Sequence, residues 1–117
     1  MKQSPTYILD RIIHQKKEER ERIRCELLEK VHTVIGELHS VIAFKEAYIF
    51  GSIIRPYSFT ENSDIDIGFI GLDDKDLFKA MSFLSARLGY EVDVIQIERH
   101  RLGATILSEG LQWKKKE

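Results

Sequence analysis

The sequence predicts an α/β domain with a helical extension at its N-terminus. Two contrasts lead there. The first 45 residues contain a single proline, Pro5, and a single glycine, Gly36, whereas short apolar runs broken by glycine and polar turns fill the remainder. Apolar residues also recur every three or four positions in the first part and every second position in the second, so the period changes from helix to strand. A length of 117 residues is that of one domain, and a hydrophobic fraction of 43% is enough for a core.

The elements follow in order. Ser4-Pro5 reads as an N-cap followed by proline at the first helical position, where the missing N–H costs nothing. Apolar residues stand at Ile8, Ile12 and Ile13, then at Ile23, Leu27, Val31, Val34, Ile35, Leu38, Val41 and Ile42. Residues 14–22 contain none. Glu and Lys/Arg at helical spacing support one another there, so this stretch is a solvated helical bridge, within one long helix or between two with a break near residues 15–20. Residues 46–50 read as a buried strand ending at Gly51-Ser52, and residues 58–63 as a polar loop. Asp64-Ile65-Asp66-Ile67-Gly68-Phe69-Ile70 alternates as a strand with one polar and one apolar face. Asp73 or Asp74 is expected to cap a helix with Leu77, Phe78, Met81, Leu84 and Leu88 on one face and Gly89 at its C′ position. Residues 90–97 form a third strand. A last helix runs from Glu98 to Glu109 and stops at Gly110, ahead of the basic tail Lys114-Lys115-Lys116.

Composition excludes several functions. Eighteen Lys+Arg against 19 Asp+Glu give a net charge of −1, without the basic excess of a nucleic-acid binder. The single cysteine, Cys25, allows no intrachain disulfide and suits a reducing compartment. No apolar run approaches the roughly 20 residues of a membrane span, and the first residues do not lead into a signal-peptide core, so a cytoplasmic location is expected. His14, His32, His39 and His100 lack metal-ligand spacing; His32 and His39 read as a polar face or an interface. Cys25 among charges reads as incidental, and the lysine tail as solubilising.

The chemistry lies in the second part. Asp64 and Asp66, two apart on a strand, send their carboxylates from the same face, and unpaired neighbouring carboxylates repel unless a cation joins them. Mg²⁺ suits such oxygen ligands together with substrate phosphates. Asp93, between Val92 and Val94, shares that face if the third strand lies beside the second. Three carboxylates could then hold two metal ions for an in-line phosphoryl displacement. Gly51 lets a phosphate approach the backbone, Ser52 adds a hydroxyl and the start of a short helix, and Arg55 offers forked donors one turn on.

Gly51-Ser52-Ile53-Ile54-Arg55-Pro56, Ser63-Asp64-Ile65-Asp66-Ile67 and Val92-Asp93-Val94 together resemble the nucleotidyltransferase superfamily typified by DNA polymerase beta. The short length and the ending Ile106-Leu107-Ser108-Glu109-Gly110 resemble its minimal nucleotidyltransferase (MNT) group, whose members often accompany a HEPN-domain toxin. The resemblance spans residues 30–113 and separates a helical extension, residues 1–29, from a minimal nucleotidyltransferase domain, residues 30–117. The fold it implies is a small mixed sheet with helices on one side. The loop from Ile53 to Ser63 is one residue longer than the family commonly has, and Ile53 stands where a basic residue often follows Gly-Ser.

The implied activity is transfer of AMP from Mg-ATP to a hydroxyl. Asp64, Asp66 and Asp93 would act as metal ligands, with Asp93 also the base, and Gly51, Ser52, Arg55 and Ser63 would hold the nucleotide. The implied acceptor is a tyrosine on a HEPN partner, which makes the chain an antitoxin. The alternatives are a small-molecule, aminoglycoside-type nucleotidyltransferase and an antitoxin that neutralises by contact alone. Ile8, Ile12 and Ile13, beyond a nine-residue polar stretch, imply a homodimer or a heteromeric complex through the N-terminal helix.

Overall fold

A computed structural model of the chain describes residues 5–115, so the expected cap at Ser4 and the end of the lysine tail lie outside the described residues. The first element, α1, is one uninterrupted helix, Pro5–His39. The charged stretch does not break it, as i,i+3 and i,i+4 pairs such as Arg22–Glu19 and Arg22–Glu26 bridge successive turns. Residues 6–20 are all exposed, while Leu27, Val31, Val34, Ile35 and Leu38 are buried. The helix therefore projects from the body, and the molecule measures 64 × 27 × 27 Å.

β1 (Glu46–Phe50), β2 (Ile65–Ile70), β3 (Val92–Gln96) and β4 (Leu111–Gln112) form one mixed sheet in the order β3-β2-β1-β4. β2 pairs antiparallel with β1 and parallel with β3, and β1 pairs antiparallel with β4. α2 (Leu77–Leu88) makes the crossover between the two parallel strands. It packs with α1 on one face of the sheet, over Ala47, Ile49, Ile65, Ile67, Phe69, Val92 and Val94. Burying the Ile, Val and Phe side chains among these contributes roughly 1.5–3 kcal/mol each. The short α3 (Gly103–Glu109) lies against the opposite face, where Ile106 joins Tyr48 and Ile97 in a second small cluster.

Several local expectations change. Phe78 is 81% exposed, because the buried line of α2 is Ala80, Leu84 and Leu88. Neither Asp73 nor Asp74 caps that helix through its side chain; the Asp74 carboxylate accepts hydrogen bonds from Gln96 and Arg99 instead. Gly89 does close it, in the left-handed region at φ 73°. The expected last helix is split into a 3₁₀ turn, Ile97–Arg99, and α3. Gly103 packs so close to the Ile97 carbonyl that a Cβ there would lie 2.5 Å from its oxygen. β4 was not legible in the sequence, and Trp113 after it donates its indole N–H to the His32 carbonyl at 3.0 Å. His32 and His39 thus form a bed for Trp113, with ring centroids at 6.1 and 5.4 Å.

Candidate active site

The alternation that buries Ile65, Ile67 and Phe69 sends Asp66 to the other face of the sheet. In the parallel ladder Asp66 stands directly opposite Asp93, so the two carboxylates leave the same face side by side. Asp64 lies one residue ahead of β2 and is exposed. From the other flank, β1 ends with Phe50 opposite the same Asp66, and the chain turns away at Gly51.

Gly51 is required there on two counts. Its φ is 82°, and a Cβ built on it would collide with Oδ2 of Asp66. Its backbone therefore passes directly against the central carboxylate. The chain then winds through a 3₁₀ turn, Gly51–Ile54, closed by the Arg55 N–H donating to the Ser52 carbonyl at 3.1 Å.

Asp66 is half-buried. Burial first, then the charges of Asp93 and Asp64, push its pKa from the ordinary 3.8 up to about 6. The ion pairs among the described residues lie elsewhere, so no Lys or Arg neutralises this cluster. Among the described residues no three His, Cys, Asp or Glu side chains are already gathered closely enough to hold a metal. The donor set nevertheless fits Mg²⁺, which commonly takes one or two carboxylates and fills its octahedron with phosphate oxygens and water. Asp66 and Asp93 would be those ligands, with Asp64 beside them.

The other sequence-predicted residues are placed less evenly. Ser52 sits half-buried in the turn, and Arg55 is exposed. The Ser63 hydroxyl is engaged within its own loop, accepting the Thr60 N–H at 3.0 Å and lying 3.2 Å from the Thr60 hydroxyl.

Sequence reading missed the brace behind the turn. Arg24 on α1 is 7% exposed and donates to the Ile53 carbonyl at 2.8 Å, while Glu21 accepts its Nε at 2.7 Å and its second Nη at 2.8 Å. Glu21 also accepts the Tyr57 N–H at 2.9 Å; Arg24 first, then that bond, hold its pKa down to about 2. Tyr57 has a positive φ of 62°, uncommon for a bulky residue, and its hydroxyl donates to Glu18 at 3.3 Å. α1 thus fixes the chain that follows Gly51-Ser52. A Glu three residues before an Arg looks like any solvated helical pair, so the available signal did not stand out.

A small mixed sheet with acidic residues on two adjacent parallel strands and a Gly-Ser turn against them defines a nucleotidyltransferase-type fold. The family model described as Polymerase beta, Nucleotidyltransferase matches residues 29–112, and the chain belongs to that family. Among solved structures it is similar to a chain of a toxin-antitoxin structure determined with AMP-PNP. The two share 22% identity over 74% of each chain at a TM-score of 0.61, a likeness of fold. No curated protein matches the chain.

Proposed function

We propose that this protein is a Mg²⁺-dependent nucleotidyltransferase that moves AMP from ATP to a hydroxyl on a toxin partner, a tyrosine of a HEPN-type protein, and so acts as an antitoxin. The observation that carries this reading is the placement of Asp66 opposite Asp93 with the Gly51 backbone pressed against Asp66. Family membership supports the chemistry, and the likeness to a toxin-antitoxin chain solved with an ATP analogue supports both the nucleotide and the partner.

The residues divide the work. Gly51 and Ser52 offer backbone N–H groups and a hydroxyl to the β- and γ-phosphates, and the exposed Arg55 adds a forked cation. Ser63 steadies the loop that leads into Asp64. Asp64, Asp66 and Asp93 would hold Mg²⁺, two ions when nucleotide is bound, which would neutralise charge on the attacking and leaving oxygens. Asp93, the exposed member of the Asp66 pair, takes the acceptor's proton. The acceptor oxygen bonds to the α-phosphorus, the bond to the bridging oxygen breaks, and pyrophosphate leaves. A tyrosine phenol, with a pKa of about 10, needs only modest help to attack.

The test is intact-mass analysis of the partner after incubation with this protein and Mg-ATP. One or more AMP additions are expected, lost in Asp66→Ala and in Asp93→Ala with complex formation retained. Neutralisation without added mass would replace this reading by contact alone, and modification of free aminoglycosides instead of the partner would replace it by the small-molecule activity.

A further inference from the structure

The projecting half of α1 has two faces of different character. One carries Lys17, Glu18, Glu21 and Arg24; Lys17 lies over the Tyr57 ring at 5.4 Å, and the other three hydrogen-bond to the chain following Gly51-Ser52. The other carries Leu9, Ile12, Lys16, Glu19 and Ile23. Its apolar members are open to solvent, with Leu9 57%, Ile12 43% and Ile23 38% exposed. These five recur at alternating spacings of three and four, the a/d repeat of a coiled-coil seam. Four of them also form one wall of a groove of about 670 Å³ whose opposite wall includes Phe59 and Tyr90.

We infer that two copies of this chain pair antiparallel along that seam, about a twofold axis crossing α1 between Lys17 and Glu18. The charges select both the occupant and the direction. Read along the chain, the seam runs apolar at Ile12, basic at Lys16, acidic at Glu19 and apolar at Ile23. A second copy laid antiparallel sets Lys16 against Glu19 and Glu19 against Lys16, flanked on each side by Ile12 against Ile23. In antiparallel coiled coils a positions face d positions, and this register meets that requirement. A parallel copy would stack Lys16 on Lys16 and Glu19 on Glu19, which repel. Glu19 already accepts from Arg22 on its own helix, and a carboxylate has lone pairs to spare for an incoming lysine.

The groove explains why a bare helix pair suffices. Ile12 and Ile23 both line it, so in this register the partner's Ile12 meets Ile23 in a groove whose other wall includes Phe59 and Tyr90. Each copy gives its N-terminal end and receives the other's, so the contact closes on itself as a dimer. The pairing is independent of the proposed catalysis, because none of these seam residues belongs to the acidic cluster or to the Gly51-Ser52 turn.

Light scattering and sedimentation equilibrium on the full chain test it. The expected mass is twice 13.7 kDa. Lys16→Glu alone and Glu19→Lys alone should each raise the dimer dissociation constant about tenfold or more, while the double exchange Lys16→Glu with Glu19→Lys should restore it. Ile12→Glu should give monomers with unchanged helical circular dichroism. A monomer at every concentration overturns the proposal, as does a dimer that the double exchange fails to rescue. Protection of the seam seen only on addition of a toxin partner would also overturn it, assigning the face to that partner.

Discussion

The two faces of the central sheet are made by the same strands and serve opposite ends. On one, Ile65, Ile67 and Phe69 of β2 are completely buried under α1 and α2. On the other, one residue out of step, Asp66 is half-buried against Asp93, with its charge disfavoured by burial and by its neighbours. The first face supplies stability and the second loses some of it. A strand that alternates by residue can keep both, provided its register is held, and the parallel pairing of β2 with β3 fixes Asp66 against Asp93 in the same step that fixes Ile67 against Val94.

That contrast makes quantitative predictions. The largest effect is expected on the buried face: Ile67→Ala should cost about 2–5 kcal/mol of stability in denaturant unfolding, because a fully enclosed side chain leaves a cavity. The brace behind the turn comes next. Arg24→Met should cost about 1–3 kcal/mol, since it strands the Ile53 carbonyl and the Glu21 carboxylate, and it should weaken ATP binding while leaving the acidic cluster in place. If Arg24→Met binds ATP as the wild type does, α1 does not position the turn.

On the acidic face the sign reverses. Asp66 has a folded pKa of about 6 against an ordinary 3.8, so its ionisation opposes folding: the penalty is absent below about pH 4, grows as pH rises, and is complete above about pH 6. Asp66→Asn should therefore raise metal-free stability at pH 7, by about 1–2 kcal/mol in a site that solvent partly screens, and should make no difference near pH 3. Glu21 supplies the smallest effect and the opposite slope. With its pKa held near 2 against an ordinary 4.5, it stabilises the fold above about pH 4.5, and the contribution is lost as pH falls towards 2. Comparing thermal unfolding of wild type and Glu21→Gln between pH 3 and pH 6 reads it out, the difference shrinking at the acid end.

How much of this could be read from the sequence depends on distance along the chain. β1 and β2, the closing Gly89 and the outward direction of Asp66 and Asp93 on their own strands follow from short-range patterns: alternation, a left-handed cap, and Val92-Asp93-Val94 repeating the inside-outside order of Ile65-Asp66-Ile67. That the two share a face rests on β3 lying beside β2, which local pattern does not fix. The continuity of α1 is not settled locally, because the propensity of residues 14–22 favours a helix while offering nothing to pack. β4 has two residues and exists because β1 offers an edge and Trp113 anchors the chain beyond it on α1; neither partner is near in sequence. The Arg24–Ile53 bond joins positions 29 apart and has no local signature. In the candidate site, the acidic residues and the glycine stand out in the sequence because their pattern is unusual. The supports of that site were hidden because their residue types are ordinary.

If the acidic face and the Gly51 turn together form a metal-dependent nucleotide site, calorimetric titration of the protein with ATP, with and without Mg²⁺, reads it out most directly. ATP is expected to bind well only with Mg²⁺ present, and Asp64→Ala combined with Asp66→Ala to lower the affinity about tenfold or more, although that variant is at least as stable as the wild type. ATP binding of equal strength without the metal, or undiminished in the double variant, would rule out a metal-dependent site on this face.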